Sequence, residues 1–259
     1  MSFEPIIIIL IAPLIASFYL AAGRKHSDRH SYLLLRDSLL YGIIAFVVAI
    51  ILIAVMESVG IATIRSLKRT LFYAFVVVGF LEELPKLLIF VIILNKKEAF
   101  DSPTKGILFS ISIALGFVLA KNAYFVLSNG GGHFTEASGF FSVPAHLLIA
   151  IIMGFFISYG KFTGSRFIYP VLALGSASFF HGLYQFALFS EDNTLLMVFF
   201  GVALLISVML FRKAMNTTRE DIDHIDHQKI RKVTLVCPKT SSALFVNVCL
   251  RGCLYRVNK

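Results

Sequence analysis

The chain has 259 residues, of which 58% are hydrophobic and only 15% charged, with a mean hydropathy of +0.83. Such a composition excludes a soluble globular domain and describes an integral membrane protein. The net charge of +9 points to nucleic acid only until its distribution is read, and the three cysteines (Cys237, Cys249, Cys253), odd in number and confined to the C-terminal tail, argue against a disulfide framework.

Seven apolar stretches predict seven helical spans, an all-α polytopic bundle. The first, about residues 5–22, has no basic residue ahead of it and reads as an uncleaved membrane helix, not a signal peptide. The second covers about 39–56 and the third 70–94. The third carries Glu82, Glu83 and Lys86 well inside an otherwise apolar run, with Pro85 between them. A fourth, about 106–127, contains Phe117, Lys121 and Asn122; the fifth, about 144–160, has His146 in its first turn. The sixth, about 167–189, holds His181 and Gln185, and the seventh covers about 194–211. The chain thus divides into a membrane domain over 1–212 and a basic tail over 213–259. No internal repeat relates its halves.

Loop charge sets the expected orientation. Arg24, Lys25, Arg29 and Arg36 lie between spans one and two, Lys96, Lys97 and Lys105 between three and four, Lys161 and Arg166 between five and six, and Arg212 and Lys213 open the tail. Only the connection with Arg65, Lys68 and Arg69 breaks the alternation. Because Lys and Arg accumulate on the cytoplasmic side, the N-terminus is expected outside and the tail in the cytoplasm of a cell-membrane protein. The basic balance is then a topology signal, and no nucleic-acid partner is expected; the partners are the bilayer and whatever the membrane site binds. Counting about 1.5 Å per residue, the intramembrane ionisable groups fall between the midplane and the outer surface, where unrelated accidents would scatter over both leaflets.

An ionised carboxylate in hydrocarbon costs a few kcal/mol at least, so such groups normally face protein and do something there. Lys86 stands i,i+4 from Glu82 and i,i+3 from Glu83, within pairing distance of either on a helix face. Pro85 cannot donate to the Leu81 carbonyl, which loosens the helix where water or substrate backbone can enter. A buried ion pair fixing helix packing is the plain reading; a reactive centre is the sharper one.

Glu82-Glu83-Leu84-Pro85-Lys86 matches the E-E-x-x-K signature of the PrsW-type intramembrane proteases, and three further elements follow in order. Gly116-Phe117-Val118-Leu119-Ala120-Lys121-Asn122 resembles G-F-x-x-x-E-N. Pro144-Ala145-His146 is similar to the third element, and His181-Gly182-Leu183-Tyr184-Gln185 to H-x-x-x-N/D. The related CAAX prenyl endopeptidases, with E-E-x-x-x-R, would need arginine where this chain has Leu87. The resemblance implies hydrolysis of a peptide bond in or near the membrane segment of a single-span protein, such as an anti-sigma factor.

The residues suit that chemistry. Amide hydrolysis needs an activated water, a stabilised oxyanion and a proton for the leaving amine. Glu82 or Glu83 is the expected base, with His146, His181 and Asn122 positioning water or the oxyanion, Lys86 and Phe117 in support, and Gln185 orienting His181 or holding substrate. No metal is required by this reading; without an H-E-x-x-H helix, zinc on Glu83, His146 and His181 is the lesser alternative. Lys121 departs from the pattern by placing a cation where the motif has glutamate. It is expected to pair with Glu82 or Glu83, weaken the base and repel a metal, or else to turn away. Impaired cleavage with a retained fold follows. Two further readings remain: a catalytically silent relative that binds membrane segments, and an ion- or proton-coupled transporter.

Outside the spans, His26, Asp28 and His30, and the run Asp223-His224-Ile225-Asp226-His227, read as solvated polar segments. Gly130-Gly131-Gly132 reads as a flexible outer connection. Cys249-x-x-x-Cys253 is too isolated to predict zinc. The segments 233–237 and 243–250 alternate weakly and are expected as short strands.

Overall fold

A computed structural model describes residues 4–60, 66–129, 136–163 and 167–236; the glycine run 130–132, Arg65, the three cysteines and the expected strand at 243–250 lie outside them. Two compact units result, Met1–Ala214 and Met215–Lys259, and the membrane bundle with its charged residues belongs to the first. Helix dominates the described residues, with short turns between helices and no strand among them, as the apolar patterning requires: in hydrocarbon every backbone N–H and C=O must be satisfied within its own segment.

The helices are α1 (Glu4–His26), α2 (Arg29–Ser58), α3 (Leu67–Phe72), α4 (Leu81–Ile89), α5 (Pro103–Asn129), α6 (Glu136–Thr163), α7 (Ile168–Phe189) and α8 (Asn193–Val236). Tyr73–Phe80 joins α3 to α4 as a π-helix, and Phe90–Leu94 continues α4 as another. Among the described residues five helices are long and apolar enough to cross a membrane: α2, α5, α6, α7 and the first part of α8. The expected third span is continuous helix over 67–94 but changes its winding at each end of α4.

Three boundaries differ from expectation. The basic loop between spans one and two contracts to Ser27 and Asp28, since the Asp28 carboxylate accepts the backbone N–H of Ser31 and caps α2 ten residues before its apolar run. Ser31 bonding and the nearby Lys105 ammonium hold the Asp28 carboxyl below the usual carboxylate range. Helix α6 begins at Glu136, so Pro144 sits inside it and His146 lies in its third turn, deeper than the first turn expected. Helix α8 continues to Val236, so residues 233–236 are helix where a strand was expected.

Helix α5 is the axis of the bundle, packed against α1, α2 and α6, while α7 packs against α6 and the Tyr73–Phe80 π-helix. Small residues set the spacing, as is usual where lipid supplies no hydrophobic drive between helices. A Cβ on Gly42 would strike the Ile113 carbonyl, and one on Gly116 the Leu39 carbonyl, so α2 and α5 cross backbone to backbone. Ser112 Oγ seals that crossing by donating to the Leu35 carbonyl at 2.6 Å. The core beneath joins Phe90, Phe100, Phe109, Ile149, Tyr184 and Phe199.

Candidate active site

The site begins with a close approach. A Cβ built on Gly79 would stand 2.9 Å from the Gly182 nitrogen and 2.9 Å from the Ser178 carbonyl, so the π-helix lies directly against α7. One turn after Gly79 come Glu82 and Glu83; beside Gly182 stands His181. The π-turns matter because each admits an extra residue and so re-aims the side chains beyond it, a feature that recurs at functional sites.

Glu82 and Glu83 are successive on α4 and point about 100° apart. Glu83 turns inward. Its Oε1 accepts from Lys86 Nζ at 2.7 Å and meets His181 Nδ1 at 2.7 Å. Lys86 Nζ also lies 3.2 Å from His146 Nδ1 and 3.8 Å above the Phe117 ring. Glu82 turns the other way, where Lys121 Nζ reaches both of its oxygens, at 2.7 and 2.8 Å. Of the two expected partners, Lys121 therefore takes Glu82. It does not turn away.

The two imidazoles stand edge to face, centroids 4.8 Å apart and planes at 89°. Their Nε2 atoms are buried without a hydrogen-bond partner, and both face Glu82 Oε2, at 3.6 Å from His181 and 3.8 Å from His146. Ligand atoms of Glu82, His146 and His181 lie within 4.8 Å of one another. The expected metal set had Glu83 in place of Glu82. Glu83 instead stands behind the ring of His181, on Nδ1, where a carboxylate fixes tautomer and orientation.

These donors fit a divalent ion. Two imidazole nitrogens and a carboxylate oxygen are ordinary zinc ligands, and the 3.6 and 3.8 Å separations approach the roughly 3.3 Å edge of a tetrahedron with bonds of about 2.0 Å. The two buried nitrogens have no hydrogen-bond partner within the protein and face one carboxylate oxygen, a place suited to a water or an ion.

Beside the cluster opens a cavity of about 520 Å³. Glu82, Phe117, Lys121 and Gln185 line it near the cluster, and Glu57, Tyr73, Ser128 and Ser142 line it elsewhere. Tyr73 donates its hydroxyl to Glu57 at 2.9 Å, joining the π-helix to the end of α2. Gln185 thus faces the cavity, while Glu83 orients His181. Asn122 is buried on α5 next to Lys121.

Of the sequence-predicted residues, Glu82, Glu83, Lys86, Phe117, Lys121, His146 and His181 meet in one cluster. Sequence reasoning passed over Tyr184, buried and facing the cavity with its ring 6.3 Å from His181, and the Gly79–Gly182 contact. Gly182 lies inside the fourth motif and Gly79 three residues before the first, and their nearness to the charged residues was the available signal.

The family described as PrsW family intramembrane metalloprotease matches residues 30–212. Protease PrsW of Clostridioides difficile is 27% identical over 82% of this chain and 92% of its own length. Protease PrsW of Shouchella clausii is 26% identical over 82% and 98%, and that of Bacillus subtilis 34% over 47% and 56%. No solved structure matches. With the match covering most of the chain and five helices among the described residues long and apolar enough to cross a membrane, this multi-pass membrane protein belongs to the PrsW family of intramembrane proteases.

Proposed function

We propose that the chain hydrolyses a peptide bond in or near the membrane segment of a single-span protein, with water activated where Glu82 Oε2, His146 Nε2 and His181 Nε2 converge. The observation that carries this reading is that convergence: three helices deliver two unpartnered imidazole nitrogens to one carboxylate inside the bilayer, next to a cavity large enough for a peptide. The expected orientation, N-terminus outside, tail cytoplasmic and seven crossings, opens that cavity toward the external leaflet.

Each residue has a physical task. Glu83 accepts the Nδ1–H of His181, so the Nε2 of the neutral ring presents its lone pair to the water. Lys86 neutralises Glu83, and Phe117 covers that ammonium and keeps it dry. Glu82 or His181 takes the proton from water and passes it to the departing amine, and His146, across from both, stabilises developing charge on the carbonyl oxygen. Glu82, His146 and His181 would hold a zinc ion, with the His146 proton moved to Nδ1, which faces Glu83 Oε1 at 3.9 Å; when bound, the ion would polarise the carbonyl and acidify the water. Gln185 and Ser142, lining the cavity, supply hydrogen bonds for an extended substrate backbone.

One observation favours a second reading. Lys121 occupies both oxygens of Glu82, which would leave a silent relative that binds membrane segments without cutting them. Reconstituting the full chain with a single-span reporter, wild type against Glu82→Gln, Glu83→Gln and His181→Ala, tests both. Cleavage lost in all three variants supports the protease; binding without cleavage in wild type supports the silent relative. Proton flux in the same liposomes, abolished by Glu82→Gln, would instead support transport.

A further inference from the structure

The charges of the buried cluster balance without any ion. Glu82 and Glu83 supply two carboxylates, Lys86 and Lys121 two ammonium groups, and each carboxylate has its own lysine at 2.7 Å. A divalent cation entering such a set would find no net negative charge to neutralise, and in a low-dielectric interior that is costly. The two lysines are not equivalent. Lys86 arises from the same helix as Glu83, one turn on, and is enclosed by His146 and Phe117. Lys121 comes from α5, hydrogen-bonds to the outer carboxylate, and flanks the 520 Å³ cavity, the one cation among the described residues lining it. Its four-carbon stem has room to carry the ammonium into that space.

From this we propose that Lys121 is a tethered cation: it holds Glu82 in place of a divalent ion, and the ion binds Glu82, His146 and His181 only when the ammonium has swung into the cavity. The inference rests on the reading of those three residues as an ion site. It goes further in making this chain's occupancy conditional, with the resting site closed by one of its own side chains. Whatever draws the ammonium into the cavity, an anionic group of a bound peptide being the simplest chemistry, would open the site to the ion.

The test is a zinc titration of the purified full chain in nanodiscs, stripped with a chelator beforehand, with bound zinc read by competition against a chromogenic chelator. Wild type is compared with Lys121→Arg, which keeps the cation, Lys121→Gln, which leaves the cluster at net −1, and Lys121→Glu, which takes it to net −2. The expected result is that affinity rises by about tenfold or more at each step from wild type to Gln to Glu, while Arg stays within about threefold of wild type. Adding His146→Ala to Lys121→Gln should abolish the gain. Equal affinity in wild type and Lys121→Gln, both weakened by His146→Ala, would overturn the tethered cation and leave the ion site standing. No zinc bound by any of the proteins would overturn both. Since a neutral residue beside buried Glu82 can destabilise the fold, a second measurement uses wild type alone. Amine labelling at Lys121, read by mass spectrometry, should rise several-fold with saturating zinc as the ammonium leaves Glu82. Labelling unchanged by zinc would overturn the proposal.

Discussion

Gly79 and Gly182 lie so close that neither can carry a side chain without moving the π-helix off α7, and on that contact depends the 2.7 Å bond between Glu83 and His181. The geometry of the site is thus set by two residues that have no chemistry of their own. Gly182→Ala would drive its methyl into the Phe75 side chain. Overpacking of this kind costs about 1–3 kcal/mol. The expected outcome is a folded protein of lower thermal stability whose reporter cleavage falls by about tenfold or more, because misplacement by an ångström is felt in the rate. Gly175→Ala, on the same helix with open space around its Cα, should leave both unchanged.

The Glu83–Lys86 pair makes a separate prediction about stability. Both side chains are almost wholly buried, so removing one leaves the other charge without its counterion. Glu83→Leu alone should cost about 3–5 kcal/mol, whereas Glu83→Leu with Lys86→Leu should recover most of that loss. Thermal unfolding of the two single variants and the double, arranged as a cycle, measures the coupling. The double variant should remain inactive, since His181 would have lost the carboxylate that fixes its ring.

That these charged residues would gather in one place was legible in the sequence, while their pairings were not. Glu82, Glu83, Lys121, His146 and His181 stood out because charge inside an apolar helix is costly and therefore has a reason. The order of the helices and their apolar character followed from composition and length. Which carboxylate would face which imidazole did not follow, because the π-turns at 73–80 alter the helical phase just before Glu82, and nothing in the residues of that stretch signals them. The start of α6 departs from the sequence pattern for a related reason. Pro144 ordinarily marks a first turn, yet within a membrane bundle neighbouring helices tolerate it inside a helix, so His146 sits deeper than its distance from Pro144 suggested. The short α1–α2 connection depended on Asp28 acting as a cap, and a polar cluster of His26, Asp28 and His30 reads equally well as a loop.

Removal of a metal should separate the two ways of activating water. If the three ligand atoms hold zinc during turnover, prolonged chelation should lower reporter cleavage by about a hundredfold, and stoichiometric zinc should restore it. His181→Ala should be inactive and beyond rescue by zinc, since it removes a ligand and the ring that Glu83 orients. Cleavage untouched by chelation, yet lost in His181→Ala, would place the proton transfer on the Glu83–His181 pair alone.

Orientation can be checked without activity. The cavity is lined at one end by Ser128, on the last turn of α5, and by Glu57, near the end of α2, while Lys105 sits at the opposite end of α5. If lysine and arginine mark the cytoplasmic face, Ser128 and Glu57 belong to the external end and Lys105 to the internal one. In a background with Cys237, Cys249 and Cys253 replaced by serine, Ser128→Cys should be labelled by a membrane-impermeant thiol reagent on intact cells. Lys105→Cys should be labelled only after the membrane is opened. The reverse pattern would place the cavity mouth in the cytoplasm, and any substrate would then have to present its scissile bond to the inner leaflet.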